Sequence, residues 1–123
     1  MRFMLIIKAD TNTEAGVLPS KELVAAMDEF NEKMVKAGVL LAAEGLHPSS
    51  KGARITFHGG GKRTVTDGPF TEAKEVVGGY AVLEANSRNE ALDAARTFMR
   101  LHQQHWPGWE GECEIRELCF LAP

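Results

Sequence analysis

The sequence predicts an α+β fold in which two helices split an antiparallel sheet, the ferredoxin-like split βαβ arrangement. Two amphipathic segments of about 15 residues each show the helical 3.6-residue period. Short apolar or alternating runs lie before, between and after them, which is typical of strands. With 123 residues, the chain has the length of one domain with a single core, so we treat residues 1–123 as a single domain.

The first half of the chain is predicted to form a strand, a helix and a second strand. Residues 2–8 combine β-branched and large apolar side chains, which favours a buried strand. Residues 9–19 are predicted to be a loop. Ser20 is a suitable N-cap for a helix that ends at residues 37–38, and a second strand follows at 39–43. The apolar stripe of the helix has spacings of four, three and four residues: Leu23, Met27, Phe30 and Met34.

The second half alternates strands with one further helix. Three glycines at 59–61 predict a turn between two strands of a hairpin. Ser87 and Glu90 form the sequence pattern of a capping box, which predicts the start of the second helix. The strands are predicted at 53–58, 62–66, 77–85 and 112–120.

Apolar side chains on both sides of the first strand predict a homodimer. Phe3, Leu5 and Ile7 point to one side of a strand, and Met4 and Ile6 point to the other. Two helices cover only one face of the sheet, so the second face would stay bare in a single copy. The simplest cover is a second copy that packs sheet to sheet.

Composition argues against several classes of protein. The net charge is −3, so no basic field favours nucleic acid or an anionic lipid surface. The apolar runs are far shorter than the roughly 20 residues of a membrane span. The apolar start fits a first strand better than a signal peptide, and we expect a cytoplasmic protein. Because no P-loop, dinucleotide, haem or flavin fingerprint is present, we expect no cofactor.

The most informative segment is residues 66–80, which begins with a predicted tight turn. In it, Asp67-Gly68-Pro69-Phe70 places one carboxylate on that turn. Gly68 is expected to permit a backbone conformation that other residues resist, and Pro69 fixes the next φ. Phe70 gives the turn an apolar anchor. A rigid turn that presents a carboxylate is a common element of binding and catalytic sites.

This segment and other landmarks resemble the DGPF branch of the YCII-related family over roughly residues 1–120. The landmarks are Met4-Leu5-Ile6, Ala37-Gly38-Val39-Leu40, Gly45-Leu46-His47-Pro48, residues 66–75, Gly78-Gly79-Tyr80 and Glu114-Ile115-Arg116. The resemblance implies a ferredoxin-like fold and a dimeric α+β barrel, a superfamily that includes isomerases and monooxygenases of ring compounds. The family mostly lacks assigned activities, and some members look associated with sigma factors. Residues 101–112 depart from the family pattern, because this link is longer and more aromatic.

Asp67, His47 and Glu44 are the candidate catalytic residues. Asp67 is predicted to act as a general base or a ligand anchor, and the alternative is that its side chain only pins the turn. His47 follows the second strand and is predicted to form an acid–base couple with Asp67. Glu44 is a further candidate for proton transfer. The alternative for His47 is an exposed loop histidine, and the alternative for Glu44 is a surface ion pair that contributes little.

Four residues near the motif are predicted to bind a ligand: Phe70, Glu72, Lys74 and Tyr80. Lys74 is suited to a substrate carboxylate, and Glu72 is a second candidate for proton transfer. The alternative for this pair is a surface ion pair that contributes little. Tyr80 follows two glycines that leave space for a ligand, although a tyrosine that only packs is the simpler interpretation.

His102 and His105 are three residues apart on the second helix and share a face. Such a pair can bind a metal ion with a third ligand from elsewhere. The apolar stripe of the helix already places His102 at the edge of the core, and Trp106 and Trp109 suggest a packed lid. We therefore predict no metal site.

Three hypotheses remain open after the sequence is read, and the least favoured is the metal site at His102 and His105, which a zinc titration would test. The other two are functions without a metal. The first is a cofactor-independent enzyme that performs acid–base chemistry on a small cyclic or acidic metabolite. The second is a non-catalytic small-ligand-binding or regulatory module, with a sigma factor as a conceivable associate.

Overall fold

A computed structural model describes residues 1–70 and 75–119 of the chain. Its helices are α1 (Thr11–Glu14), α2 (Lys21–Lys36) and α3 (Arg88–His105). Its strands are β1 (Arg2–Lys8), β2 (Leu40–Gly45), β3 (Ala53–Phe57), β4 (Arg63–Asp67), β5 (Val77–Glu84) and β6 (Cys113–Glu117). Among the described residues, no helix combines the length and the apolar character that crossing a bilayer requires.

The central sheet has four strands in the order β2–β5–β1–β6, and every neighbouring pair is antiparallel. Helix α2 connects β1 to β2, and α3 connects β5 to β6. This order confirms the predicted α+β, ferredoxin-like fold. Strands β3 and β4 pair with each other in a separate two-stranded sheet, so the predicted hairpin does not extend the central sheet.

The N-cap serines of the two long helices are those that the sequence predicts, but the return bond of the predicted capping box at α3 comes to Glu90 from the Asn86 N–H and not from Ser87. Ser20 accepts a hydrogen bond from the Leu23 N–H at 3.1 Å at the start of α2. Gly38 has a left-handed φ of 74°, which ends that helix and which glycine adopts without steric cost. At the start of α3, Ser87 accepts a hydrogen bond from the Glu90 N–H at 3.2 Å.

The prediction of a plain loop at residues 9–19 is wrong, because α1 lies within it. Asp10 accepts a hydrogen bond from the Thr13 N–H at 2.7 Å. The Thr13 hydroxyl in turn accepts one from the Asp10 N–H at 2.9 Å. This reciprocal cap uses threonine where the usual pattern has glutamate or glutamine, so the segment lacks the expected signature.

The core lies between the helices and one face of the sheet. Phe3, Leu5 and Leu83 are buried on the sheet side, and Ala91 and Ala95 are buried on α3. The small alanines allow the helix to approach the sheet closely.

The other face of the sheet, called the open face, is formed by Met4, Ile6, Tyr80 and Val82, which all remain partly exposed. Cross-strand pairing places Ile6 beside Tyr80 and Met4 beside Val82. The apolar character that predicts a second copy is therefore concentrated at the centre of this face.

Candidate functional site

A cavity with two tryptophans in its lining, called the tryptophan cavity, lies at one end of the central sheet. Its volume is about 420 Å³, which is within the range of small-molecule sites. The ends of β1 and β2, the segment from α1 to α2 and the end of α3 meet there. Its apolar lining includes Ile7, Val17, Leu23, Met27, Trp106 and Trp109. Its polar lining includes Lys8, Asp10, Thr13, Glu14, Asp28, His47 and His102.

The C-terminal end of α3 builds the aromatic wall of the tryptophan cavity. The rings of His102 and Trp109 lie 4.9 Å apart between centroids. A Cβ atom on Gly111 would lie 2.1 Å from Cζ2 of Trp109, so glycine allows the indole to lie against the backbone. The Ser20 hydroxyl donates a hydrogen bond to the His105 carbonyl. This bond joins the start of α2 to the end of α3 and fixes two walls relative to each other.

His102 is held in one tautomer by its own helix. Its Nδ1 lies 2.9 Å from the carbonyl oxygen of Phe98. Because a carbonyl oxygen only accepts, Nδ1 carries the hydrogen and Nε2 of the neutral ring has a free lone pair. Burial lowers the pKa of His102, and the hydrogen bond to Phe98 opposes this effect in part. A neutral imidazole with an unprotonated Nε2 is able to accept a proton.

His47 lies on the exposed loop after β2, between the tryptophan cavity and a second one. It contributes to the lining of both cavities. The second, called the motif cavity, has a volume of about 400 Å³. Phe70 and Arg54 line it, and the Arg54 guanidinium lies 4.1 Å from the centroid of the Phe70 ring. At this distance the cation interacts favourably with the ring face.

Gly68 of the motif is required by a close contact. A Cβ atom at this position would lie 1.7 Å from the carbonyl oxygen of Ser49. Its φ is not in the left-handed region, so no unusual φ accounts for the glycine, and the peptide bond between Gly68 and Pro69 is cis. The Gly68 N–H also donates a hydrogen bond to the Gly52 carbonyl at 3.0 Å. Glycine is needed because two backbone segments touch.

Ser49 joins the motif to the wall of the tryptophan cavity. This serine is only 6% exposed. Its N–H donates a hydrogen bond to one carboxylate oxygen of Glu14 at 2.8 Å, and its hydroxyl donates to the other. The same hydroxyl accepts a hydrogen bond from the Phe70 N–H at 2.9 Å. Among the described residues no buried side-chain N or O atom lacks a hydrogen-bond partner. The bridge through Ser49 connects α1 to the motif turn.

The predicted site residues fall into three places. Asp67 is exposed at the end of β4, lines neither of these two cavities and makes no side-chain hydrogen bond with the described residues. His47 and Phe70 border the cavities. Glu44 and Tyr80 are cross-strand neighbours on the side of the sheet that forms the open face. The predicted residues Glu72 and Lys74 lie outside the described residues.

The two histidines of α3 differ in their surroundings. His102 lines the tryptophan cavity, whereas His105 does not. Within residues 1–70 and 75–119, no three His, Cys, Asp or Glu side chains come close enough together to hold a metal ion.

Several residues of the site are missed by sequence reasoning. Lys8 ends a strand, and Glu14 lies in a segment predicted as loop, so neither has a chemical signal of its own. Ser49 belongs to a polar stretch that is typical of an exposed connection. The reciprocal cap of Asp10 and Thr13 fixes this wall, but it lacks the glutamate or glutamine by which a capping box is usually recognised in a sequence.

Two comparisons with known proteins found a match. Residues 1–100 match the model of the YCII-related domain. An uncharacterised protein of Rhizobium meliloti (strain 1021) is 34% identical over 97 residues, which cover 79% of this chain and 73% of that protein.

Proposed function

The chain belongs to the YCII-related family, and on this premise we propose that it binds a small cyclic compound in the tryptophan cavity and transfers protons there without a cofactor. The observation that carries the proposal is the position of His102, a neutral imidazole with a fixed tautomer in the wall of a mostly apolar cavity. An aromatic wall next to a proton acceptor suits a ring with an acidic C–H or O–H group.

The charges around the tryptophan cavity define the expected substituents. Asp10, Glu14 and Asp28 contribute carboxylates to the lining, and Lys8 contributes the ammonium group. An anionic substituent is therefore expected to lie next to Lys8 and away from the three acids. His47 at the rim is a second candidate for proton transfer, because it borders the same space.

We place the chain in the DGPF branch of the family on the basis of Asp67-Gly68-Pro69-Phe70. In this proposal the motif turn holds part of the wall of the tryptophan cavity in position within one copy of the chain. Its turn is fastened through Ser49 to Glu14, whose carboxylate belongs to the cavity lining.

A second candidate function is a non-catalytic ligand-binding or regulatory module, including one that acts with a sigma factor. The observation that favours it is the exposure of Asp67, which lines neither of the two cavities. Asp67 and His47, the predicted acid–base couple, therefore do not line the same cavity within one copy. A module that only binds its ligand needs no such couple.

We propose further that two copies pack through the open face to form a homodimer. Met4, Ile6, Tyr80 and Val82 are partly exposed at the centre of a sheet whose other face is covered by helices. A contiguous apolar surface of this kind is typical of an interface between copies.

The binding proposal is tested with tryptophan fluorescence. The chain has two tryptophans, so Trp106→Phe leaves Trp109 as the single reporter in the cavity wall. We expect a saturable change of its emission on titration with members of a panel of aromatic carboxylic acids, phenols and aromatic amines. If every compound in the panel leaves the emission unchanged, the binding proposal is wrong.

The proton-transfer proposal is tested on any compound that binds. In D₂O, NMR should show exchange of an acidic C–H of the bound compound for deuterium. His102→Gln should abolish the exchange while the compound still binds, because the amide keeps a donor for the Phe98 carbonyl but is not a base. His58→Gln, on the exposed hairpin, is the matched control and should exchange normally. Saturable binding without exchange in the wild type would favour the non-catalytic module.

A further inference from the structure

The hairpin of β3 and β4, called the arm (Ala53–Asp67), presents an exposed apolar face. Ile55, Phe57 and Val65 are 61%, 73% and 65% exposed. Ile55 pairs with Val65 and Phe57 pairs with Arg63, so all four side chains lie on the same side of the arm. A two-stranded hairpin alone is marginally stable in water, so a packing partner for this face would stabilise it.

The open face of the central sheet has the complementary character. One row of cross-strand neighbours runs Glu44, Tyr80, Ile6 and Glu114, so carboxylates flank an apolar centre. Arg116 lies in the adjacent row beside Met4. The surface is apolar in the middle and charged at both edges, as the core and rim of an interface are.

We propose that the arm of each copy lies across the open face of a second copy of the same chain. The dimensions agree with this placement. A five-residue strand is about 16 Å long at about 3.3 Å per residue. A sheet of four strands is about 14 Å wide when its strands are about 4.8 Å apart. One arm is therefore long enough to cross the whole sheet of the other copy.

The charges of the arm favour the same partner. Arg63 and Asp67 lie on the apolar side of the arm, near its tip and at its base, and Lys62 precedes Arg63 at the tip. The open face offers Glu44 and Glu114 to the basic side chains, and Arg116 to Asp67. Both signs of charge on the arm thus find the opposite sign on the sheet, which favours this pairing over a random apolar contact.

Size explains why the partner is a second copy. Stable interfaces bury about 800 Å² per partner, more than three side chains of an arm supply. The arm therefore needs the sheet beneath it as part of the same interface. Because one chain carries both surfaces, two copies exchange arms around a two-fold axis and leave neither surface bare.

This arrangement rests on the proposed homodimer and adds a contact to it. It also brings together residues that a single copy keeps apart. Asp67 at the base of one arm would approach the face that carries Glu44 and Tyr80 of the partner subunit. Three of the predicted site residues would then border one space between the two copies.

Disulfide trapping tests the contact directly. In a Cys119→Ser background, a chain with Phe57→Cys is refolded together with a chain with Tyr80→Cys and then oxidised. We expect a covalent product of twice the 13.5 kDa chain mass that contains one copy of each variant. Val35→Cys, on the exposed side of α2, replaces Tyr80→Cys in the control and should give no such product. An equal yield with Val35→Cys, or a product made only of two Phe57→Cys chains, would overturn the proposal.

Light scattering separates the arm from the dimer itself. Ile55→Ser with Phe57→Ser should raise the dimer dissociation constant about tenfold or more. Leu18→Ser, at a position 82% exposed outside the arm, should leave it unchanged. If the wild type is a monomer at micromolar concentration, the homodimer and the arm contact both fail. If the dimer persists unchanged in the arm variant and no cross-link forms, only the arm contact is wrong.

Discussion

The tryptophan cavity and the arm differ in what holds each of them in place. The walls of the cavity are fastened within one chain, by the Ser20 bond to the His105 carbonyl and by the Ser49 bridge to Glu14. The arm pairs its two strands with each other and exposes all ten of their residues. Yet the arm leads directly into the motif that makes the sequence recognisable. The most recognisable segment of a chain is therefore not always the one whose surroundings a single copy completes.

The largest difference between the two regions is expected when one side chain of the core and one of the arm are shortened to alanine. Leu5→Ala removes a side chain that is 2% exposed and should lower the free energy of unfolding by about 2–5 kcal/mol. Ile55→Ala on the arm should cost less than about 0.5 kcal/mol in the monomer, because exposed positions contribute little. Urea denaturation at low protein concentration measures both. Equal losses would mean that the arm packs within its own copy.

The Ser49 bridge offers the next largest effect. Ser49→Ala removes the hydroxyl that bonds Glu14 and Phe70 and leaves the Phe70 N–H without this acceptor. Loss of a buried polar partner should lower the free energy of unfolding by about 1–3 kcal/mol. Faster hydrogen exchange of the Phe70 amide would place the loss at the motif turn.

The neighbouring serine provides the matched control for this prediction. Ser50 is exposed, so Ser50→Ala should leave both stability and exchange at Phe70 nearly unchanged. If the two variants are equally stable, the bridge does not fasten the motif to the cavity wall. The two regions of the molecule would then be independent of each other.

The fold could be predicted because its signals are local and periodic. The stripe of α2 from Leu23 to Met34 and the cap at Ser20 determine the helix without knowledge of its partners. The alternation of Leu5 with Ile6 reports the two faces of the sheet in the same way. Such patterns lie within a few residues of one another, so the sequence alone displays them.

The site could be predicted only in part, because its contacts join distant segments. Ser49 forms hydrogen bonds with Glu14, 35 residues away in the sequence, and with Phe70, 21 residues away. No local sequence pattern predicts either partner. The aromatic end of α3 was predicted to be a packed lid. Its role as a wall of the tryptophan cavity depends on where α1 and the start of α2 lie, and the sequence does not predict α1.

The smallest effect that we predict is a pH dependence, and it compares one histidine from each region. Burial lowers the pKa of His102 below its usual 6.5. Between the lowered pKa of the folded chain and the usual pKa of the unfolded chain, the unfolded chain binds more protons than the folded chain. Stability therefore rises with pH across this interval. The contribution of His102 is complete above pH 6.5 and is lost as the pH falls through the folded-state pKa.

His102→Gln should remove this contribution, so its urea midpoint should fall less than that of the wild type between pH 7 and pH 5. His58→Gln, at an exposed position on the arm, is the matched control and should follow the wild-type curve. Parallel curves for the wild type and His102→Gln would mean that the His102 ring is as hydrated in the folded chain as in the unfolded one. The tryptophan cavity would then be as open to water as the arm, and burial would not extend the neutral form of His102 below its usual pH range.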